Sequence, residues 1–213
     1  TATLETVLPD PARNNHQVPI LVRYPLDVPA GPRAVVIFNH GGTTHDQGHT
    51  LNVERSESYA QAGYPVIHIA RKNVVSPSNS DLAACVAAGI PQPGGISCSE
   101  WLGTVVYGSQ NVAFMVGLLP QYQVGMLPGF IGEPDLEKII VSGWSGGTAS
   151  VLYIAGVAQQ YQLYVQPAPV VPGVVAFVAD SPRGPDHAGF SSGMNEEAFR
   201  GINSRPFLFF SGV

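Results

Sequence analysis

Charged side chains are scarce in this sequence, at 12% of 213 residues, and no stretch gathers Lys and Arg into a cluster. Binding a phosphate backbone needs grouped cations, so the expectation is no nucleic-acid partner, and the net charge of -5 agrees. Long apolar runs are missing too. None approaches the ~20 residues that cross a hydrocarbon core, so the chain reads as soluble, with no membrane span. Repeats, low-complexity tracts and linkers are also absent, and 213 residues suit one domain rather than two. Residues 1–213 are therefore read as a single domain. The opening "TATLETVLPDPARNNHQ" has neither a Met nor an apolar leader. It reads as a mature end left after signal removal, or as a cut edge.

Cysteine is nearly missing as well. Cys85 and Cys98 flank the Gly/Pro-rich loop "VAAGIPQPGGIS". A bridge closing so short a loop is worth about 3 kcal/mol in the chain-entropy picture. The alternative is two free thiols. A loop this floppy and poor in charge gains most from a staple, and the bridge implies an oxidising compartment, hence a secreted or periplasmic protein.

Apolar residues are abundant, at 45% of the chain, which excludes disorder. They fall in short runs: "VPILVRYPL" (18–26), "RAVVIFNH" (33–40), "PVIHIA" (65–70), "KIIVSG" (138–143), "GVVAFVAD" (173–180) and "RPFLFFSGV" (205–213). Each reads as a strand. Between them, "NVERSESYAQAGY" has helical composition and a stop at Gly63. "TVVYGSQNVAFMVGLLPQY" suits a long buried helix, and "GGTASVLYIAGVAQQ" a small-residue one. Fully apolar strands alternating with helices predict an α/β fold, a mostly parallel sheet covered by helices on both faces. In such sheets chemistry gathers at the carboxyl ends of the strands.

One strand leads into Gly143-Trp144-Ser145-Gly146-Gly147, a G-x-S-x-G pattern placed between a strand and a helix. A strand turning sharply into a helix strains its central residue, and the positions two before and two after must lack side chains. The serine hydroxyl is then presented at the top of the sheet. Ser145 is the candidate nucleophile, with a plain glycine-rich turn as the alternative reading.

About a hundred residues upstream, "VVIFNHGGT" is a strand followed by His40-Gly41-Gly42. This resembles the loop after the third strand in the α/β-hydrolase superfamily. The order of elements along the chain is similar to that superfamily throughout. "VPILVRYP" and "VVIFNHGG" look like its dienelactone-hydrolase and platelet-activating-factor-acetylhydrolase-like branch, which includes secreted polymer esterases. Hydrolases of oxidised polyvinyl alcohol lie in the same neighbourhood. The resemblance implies an oxyanion hole built from the amides of Gly42 (Thr43 being the adjacent alternative) and Gly146. It gives His40 the task of orienting the loop. Trp144 stands where many relatives have His, either as a flat wall of the substrate pocket beside Thr43 or as packing under the helix.

In this superfamily the acid and then the histidine follow the nucleophile along the chain. Here "PFLFFSGV" resembles the seventh strand. The acid turn, the eighth strand and the histidine loop are therefore expected in a C-terminal segment beyond Val213, in the same protein or a cleaved companion. Asp180 is the substitute acid within the chain, at a position that a minority of lipase-like relatives use, although a turn-capping carboxylate is its simpler reading. His187 is the matching base, or an exposed loop histidine. His40, His45, Asp46 and His49 hint at a metal, but Gly48 breaks the helix that His45 and His49 would need and no H-E-x-x-H is present. That segment reads as a polar rim, with no metal. Together the resemblance implies a cofactor-free serine hydrolase acting on an uncharged ester, polymeric or lipid-like. A C–C hydrolase of β-diketones would use the same serine, and a non-catalytic ligand-binding member is the rival of another class.

Overall fold

The computed structural model describes residues 1–26, 28–29, 31–42, 47–71, 79–87, 97–123, 133–156, 171–182, 202 and 205–210. Seven strands form one sheet in the order β1-β2-β4-β3-β5-β6-β7. They are β1 (Ala2–Asp10), β2 (His16–Tyr24), β3 (Pro32–Asn39), β4 (Val66–Ile69), β5 (Glu133–Trp144), β6 (Val174–Asp180) and β7 (Phe207–Phe210). From β4 through β3, β5 and β6 to β7 every pairing is parallel, while β1 and β2 join antiparallel at one edge.

The expected apolar runs are all strands, but β1 lies in the opening stretch, which in sequence reads only as a mature end or a cut edge. Its burial alternates residue by residue along its length, as in an edge strand with one face in water. Pairing with β2 runs from Ala2 against Tyr24 to Asp10 against His16. Asp10 then caps the turn, accepting from the Ala12 N–H at 3.0 Å.

Strand side chains alternate between the two faces, and both faces are covered. Val36 and Phe38 of β3 and Val66 of β4 pack with Ala60 of α1 (Val53–Gln61) on one side. Val35, Ile37 and Val141 meet Val112, Met115 and Val151 on the other, from α4 (Gly108–Gln123) and α5 (Thr148–Ile154). Helix α1 ends as expected, with Gly63 at φ 95° in the left-handed region that glycine tolerates.

Helix α4 is preceded by α3 (Cys98–Trp101) and a π-helical stretch, Leu102–Tyr107. The segment Leu102–Tyr122 is long and apolar enough, by length and composition, to cross a membrane. That corrects the expectation that no run comes close. Two-thirds of it is buried within the fold, against the sheet and α5, as befits a core helix.

Cys85 of α2 (Asn79–Ala87) and Cys98 of α3 are joined in a disulfide with Cα atoms 5.9 Å apart. Both are buried with Leu102, Val105 and Tyr153, so the bridge pins α2 to the start of the core helix. Replacing both cysteines by serine is expected to lower stability by about 3 kcal/mol, read as a fall in the urea midpoint. An unchanged midpoint would show the bridge to be idle.

His68 sits in the middle of β4, edge-on to Phe38 at 4.8 Å between ring centroids. It is fully buried, and among the described residues neither ring nitrogen has a hydrogen-bond partner. Desolvation by burial is the main cause that pushes its pKa well below the usual histidine value, with the positive charges of Arg23 and Arg71 adding to it. The ring stays neutral in the folded protein while the unfolded chain takes up a proton near pH 6.5. Its effect on stability is nil above that pH and grows unfavourable below it, at about 1.4 kcal/mol per pH unit. His68→Leu is expected to flatten the fall in melting temperature between pH 6.5 and 5, relative to the parent protein. Parallel pH profiles for the two would contradict this.

Candidate active site

Strand β5 ends at Trp144 and α5 begins at Thr148, so Ser145–Gly147 carries the whole reversal as one 3-10 turn. Ser145 has φ 48°, in the left-handed region, which costs an L-residue roughly 1–2 kcal/mol. The surroundings hold it there. A Cβ on Gly143 would lie 2.6 Å from the Gly147 carbonyl oxygen, and one on Gly147 would lie 2.5 Å from the His40 oxygen. Real Cβ atoms do not approach backbone so closely, so both glycines of the motif are required by space. Thr148 Oγ1 closes the turn by donating to the Ser145 carbonyl at 2.5 Å. Ser145 remains partly exposed.

The His40-Gly41-Gly42 loop leaves β3 and lies directly against this turn. A Cβ on Gly146 would collide with the Gly42 carbonyl, whose carbon would be 2.9 Å away. Gly42 has φ 76°. His40 is fully buried, with Nδ1 2.7 Å from the Gly41 oxygen and Nε2 accepting the Arg71 N–H at 3.1 Å. Those partners fit a neutral ring protonated on Nδ1, engaged with its own loop. The Gly41 N–H donates to Asn52 Oδ1 at 2.8 Å, tying the loop to the start of α1.

Arg71 was not singled out by sequence. It follows β4 and is buried to 1% exposure. Its Nη2 donates to the carbonyls of His40 at 2.6 Å and Gly42 at 2.8 Å, and its Nη1 to that of Gly146 at 3.0 Å. The only hint in the sequence is a cation closing an apolar strand in "VIHIAR". Its partners are backbone atoms, which leave no mark on composition.

Trp144 packs its ring against Gly41, where any Cβ would overlap it, and carries the Arg55 guanidinium 4.8 Å above. Its described contacts are thus packing contacts beneath the loop. Asp180 ends β6 opposite Trp144 in register. Its carboxylate forms an ion pair with Arg55 of α1 and accepts from Ser181 Oγ at 3.3 Å. Arg55, Asp180, Tyr59, Ser142 and Phe38 border a cavity of about 420 Å³ on the α1 side of the sheet, and Ser145 is not among its lining residues.

No histidine ring reaches Ser145 or Asp180 among the described residues. His49 Nε2 instead contacts Glu5 Oε1 at 2.8 Å. Thr43, His45, Asp46 and His187 lie outside the described residues. The geometry therefore brings together Ser145, Gly42 and Gly146, and places Asp180 with Arg55.

This strand order, with a serine in a strained turn after β5 and a glycine loop after the neighbouring β3 beside it, is the α/β-hydrolase fold. Solved structures bear out the fold. The chain is similar to esterase B from Lactobacillus rhamnosis, with a TM-score of 0.58 and 13% identity over 97% of this chain and 64% of that one. It is also similar to a carboxylesterase from Lactobacillus plantarum, with a TM-score of 0.52 and 15% identity over 96% of this chain and 64% of that one. A third likeness, to a brefeldin A esterase that is a bacterial homologue of human hormone sensitive lipase, has a TM-score of 0.47 and 17% identity over 85% of this chain. The chain spans between 40% and 64% of the length of these three esterases. No family model and no curated protein sequence matches it.

Proposed function

We propose that this chain is the nucleophile-bearing part of a serine hydrolase that cleaves carboxylic esters through an acyl-serine intermediate. The observation that carries the reading is Ser145 at φ 48°, in a turn whose flanking glycines admit no side chain, with Gly42 packed on Gly146. A strained, partly exposed serine is costly to hold without use. In this reading Ser145 Oγ attacks the acyl carbonyl, and the carbonyl oxygen takes up negative charge. The amides of Gly42 and Gly146 stabilise that charge. A histidine accepts the serine proton and returns it to the leaving alcohol, and water then releases the acid.

The histidine and its acid are assigned to a segment following β7. Asp180 is the fallback acid, once freed from Arg55. β7 pairs only with β6 among the described residues, and its Leu208, Phe209 and Phe210 are each about half exposed, which suits a further strand alongside. The intact mass of the natural protein is expected to exceed 22.5 kDa, the mass of these residues, or to come with a cleaved companion. A mass of 22.5 kDa with no companion would contradict this assignment.

Esterase names among the structural neighbours support an ester substrate. The disulfide supports a secreted or periplasmic location, and a polymeric or lipid-like ester is the target proposed there. No cofactor takes part. The test is a panel of nitrophenyl esters of increasing acyl length given to the complete protein. Turnover that depends on chain length supports the reading. Cleavage of a β-diketone without ester turnover favours the C–C hydrolase, and binding without turnover of either favours a non-catalytic member.

A further inference from the structure

We propose that Arg71 is a positioning residue that holds the two halves of the oxyanion hole in register by binding the carbonyls of His40, Gly42 and Gly146 with one guanidinium. The inference rests on the ester-hydrolase reading of Ser145, Gly42 and Gly146, and goes beyond it by naming a residue that touches no substrate.

The two proposed amide donors come from segments about a hundred residues apart, one after β3 and the other after β5. Nothing covalent fixes their separation. Gly42 has φ 76° and, among the described residues other than its chain neighbours, no atom within 4 Å of where a Cβ would stand. Glycine in open space is the residue whose peptide turns over at least cost. A turned peptide would aim a carbonyl, rather than an N–H, at the developing negative charge. The Gly41 carbonyl of that peptide contacts His40 Nδ1 at 2.7 Å, and Arg71 bonds the next carbonyl, that of Gly42, so the two together fix the residue that carries the N–H. Two Arg71 nitrogens hold Gly42 and Gly146 together at 2.8 and 3.0 Å, and the His40 carbonyl at 2.6 Å anchors the loop to the end of β3.

The arginine is itself well fixed. Its own N–H donates to His40 Nε2 at 3.1 Å. Its aliphatic stem runs beside Gly108, where a Cβ would come within 3.1 Å of Arg71 Cδ. That glycine opens α4 directly after the π-helical stretch. The neighbouring Asn111 Nδ2 donates to the Ala70 carbonyl at 3.1 Å, so the core helix holds the strand end from which Arg71 projects. Burial lowers the guanidinium pKa to about 9, which leaves it charged at neutral pH. A planar fork reaching three carbonyls is something a lysine ammonium on its flexible stem does not reproduce.

The test is made in the complete protein with Arg71→Lys and Arg71→Gln. For each, melting temperature, kcat, KM and the dissociation constant of an alkyl boronic acid are measured. The boronic acid forms a tetrahedral anion on the serine and so reports on the oxyanion hole. The expectation is a kcat about 100-fold lower, a KM within twofold of the parent, and boronate affinity weakened by the same factor as kcat/KM. A folded Arg71→Lys protein with unchanged kcat overturns the proposal, as does a loss seen only in melting temperature. If neither variant folds, the parent protein decides through the 15N signals of the Arg71 side chain. Slowly exchanging η-nitrogens that shift when Ser145 is phosphonylated support the proposal, and unmoved signals overturn it. A parent protein that neither turns over esters nor binds the boronate is a failure of the ester-hydrolase reading instead.

Discussion

Ser145→Ala is expected to lower kcat for an activated ester by on the order of 10⁶-fold, the scale on which a catalytic serine acts together with its base. KM should change little, because the hydroxyl contributes to the transition state rather than to substrate binding. The turn itself should survive, since Thr148 Oγ1 bonds the Ser145 carbonyl and not its side chain. Alanine keeps the strained φ of 48°, whereas glycine relieves it. Ser145→Gly should therefore be as inactive as Ser145→Ala yet more stable than it by about 1 kcal/mol. Activity in either variant would remove Ser145 from the mechanism. Equal stability of the two would mean that the turn carries no strain.

Gly147→Ala is expected to cost both stability and activity. The added Cβ would meet the carbonyl oxygens of Asn39 and His40, both in the fully buried segment that leads from β3 into the oxyanion loop. Backbone yields less readily than a side-chain tip, so the loop and the elbow must separate. We expect a cost of about 3 kcal/mol together with loss of ester turnover. Gly117→Ala is the control. Gly117 lies on an exposed face of α4, with no atom of a described residue outside the helix's own backbone within 4 Å of its Cβ position, and alanine there should stabilise the helix by about 1 kcal/mol. Paired urea melts and ester assays decide the matter. Similar behaviour of the two variants would contradict the packing of Gly147.

The elbow was legible in sequence because its constraints are local. Gly143, Ser145 and Gly147 sit within five residues, and each is fixed by the sharpness of one turn. Strands β3, β4 and the end of β5 were legible because both their faces are buried, which makes them continuous apolar runs, and β6 because its sequence is one apolar run. β1 was hidden for the opposite reason: it is half wet, exposed at every second position, and stands where a chain end is expected to fray.

The polar partnerships were the least visible. Asp180 was correctly placed at a strand end, but its pairing with Arg55 joins positions remote in sequence, and only the register of β6 against β5 beneath α1 brings them together. Trp144 offered a pocket wall or packing, and its contacts with Gly41 and Arg55 could not be foreseen from its neighbours in the chain. Arg71 is the extreme case. Its three acceptors are backbone oxygens of residues whose types say nothing about an arginine.

The central claim is that Ser145 is a nucleophile served by the surrounding glycine loops. Treating the complete folded protein with a fluorophosphonate and locating the adduct by peptide mass spectrometry tests it most directly. The account predicts a single phosphonyl group on Ser145, formed in the parent protein and absent from Ser145→Ala. A complete, folded protein that takes up no label, or is labelled elsewhere with Ser145 untouched, would contradict it.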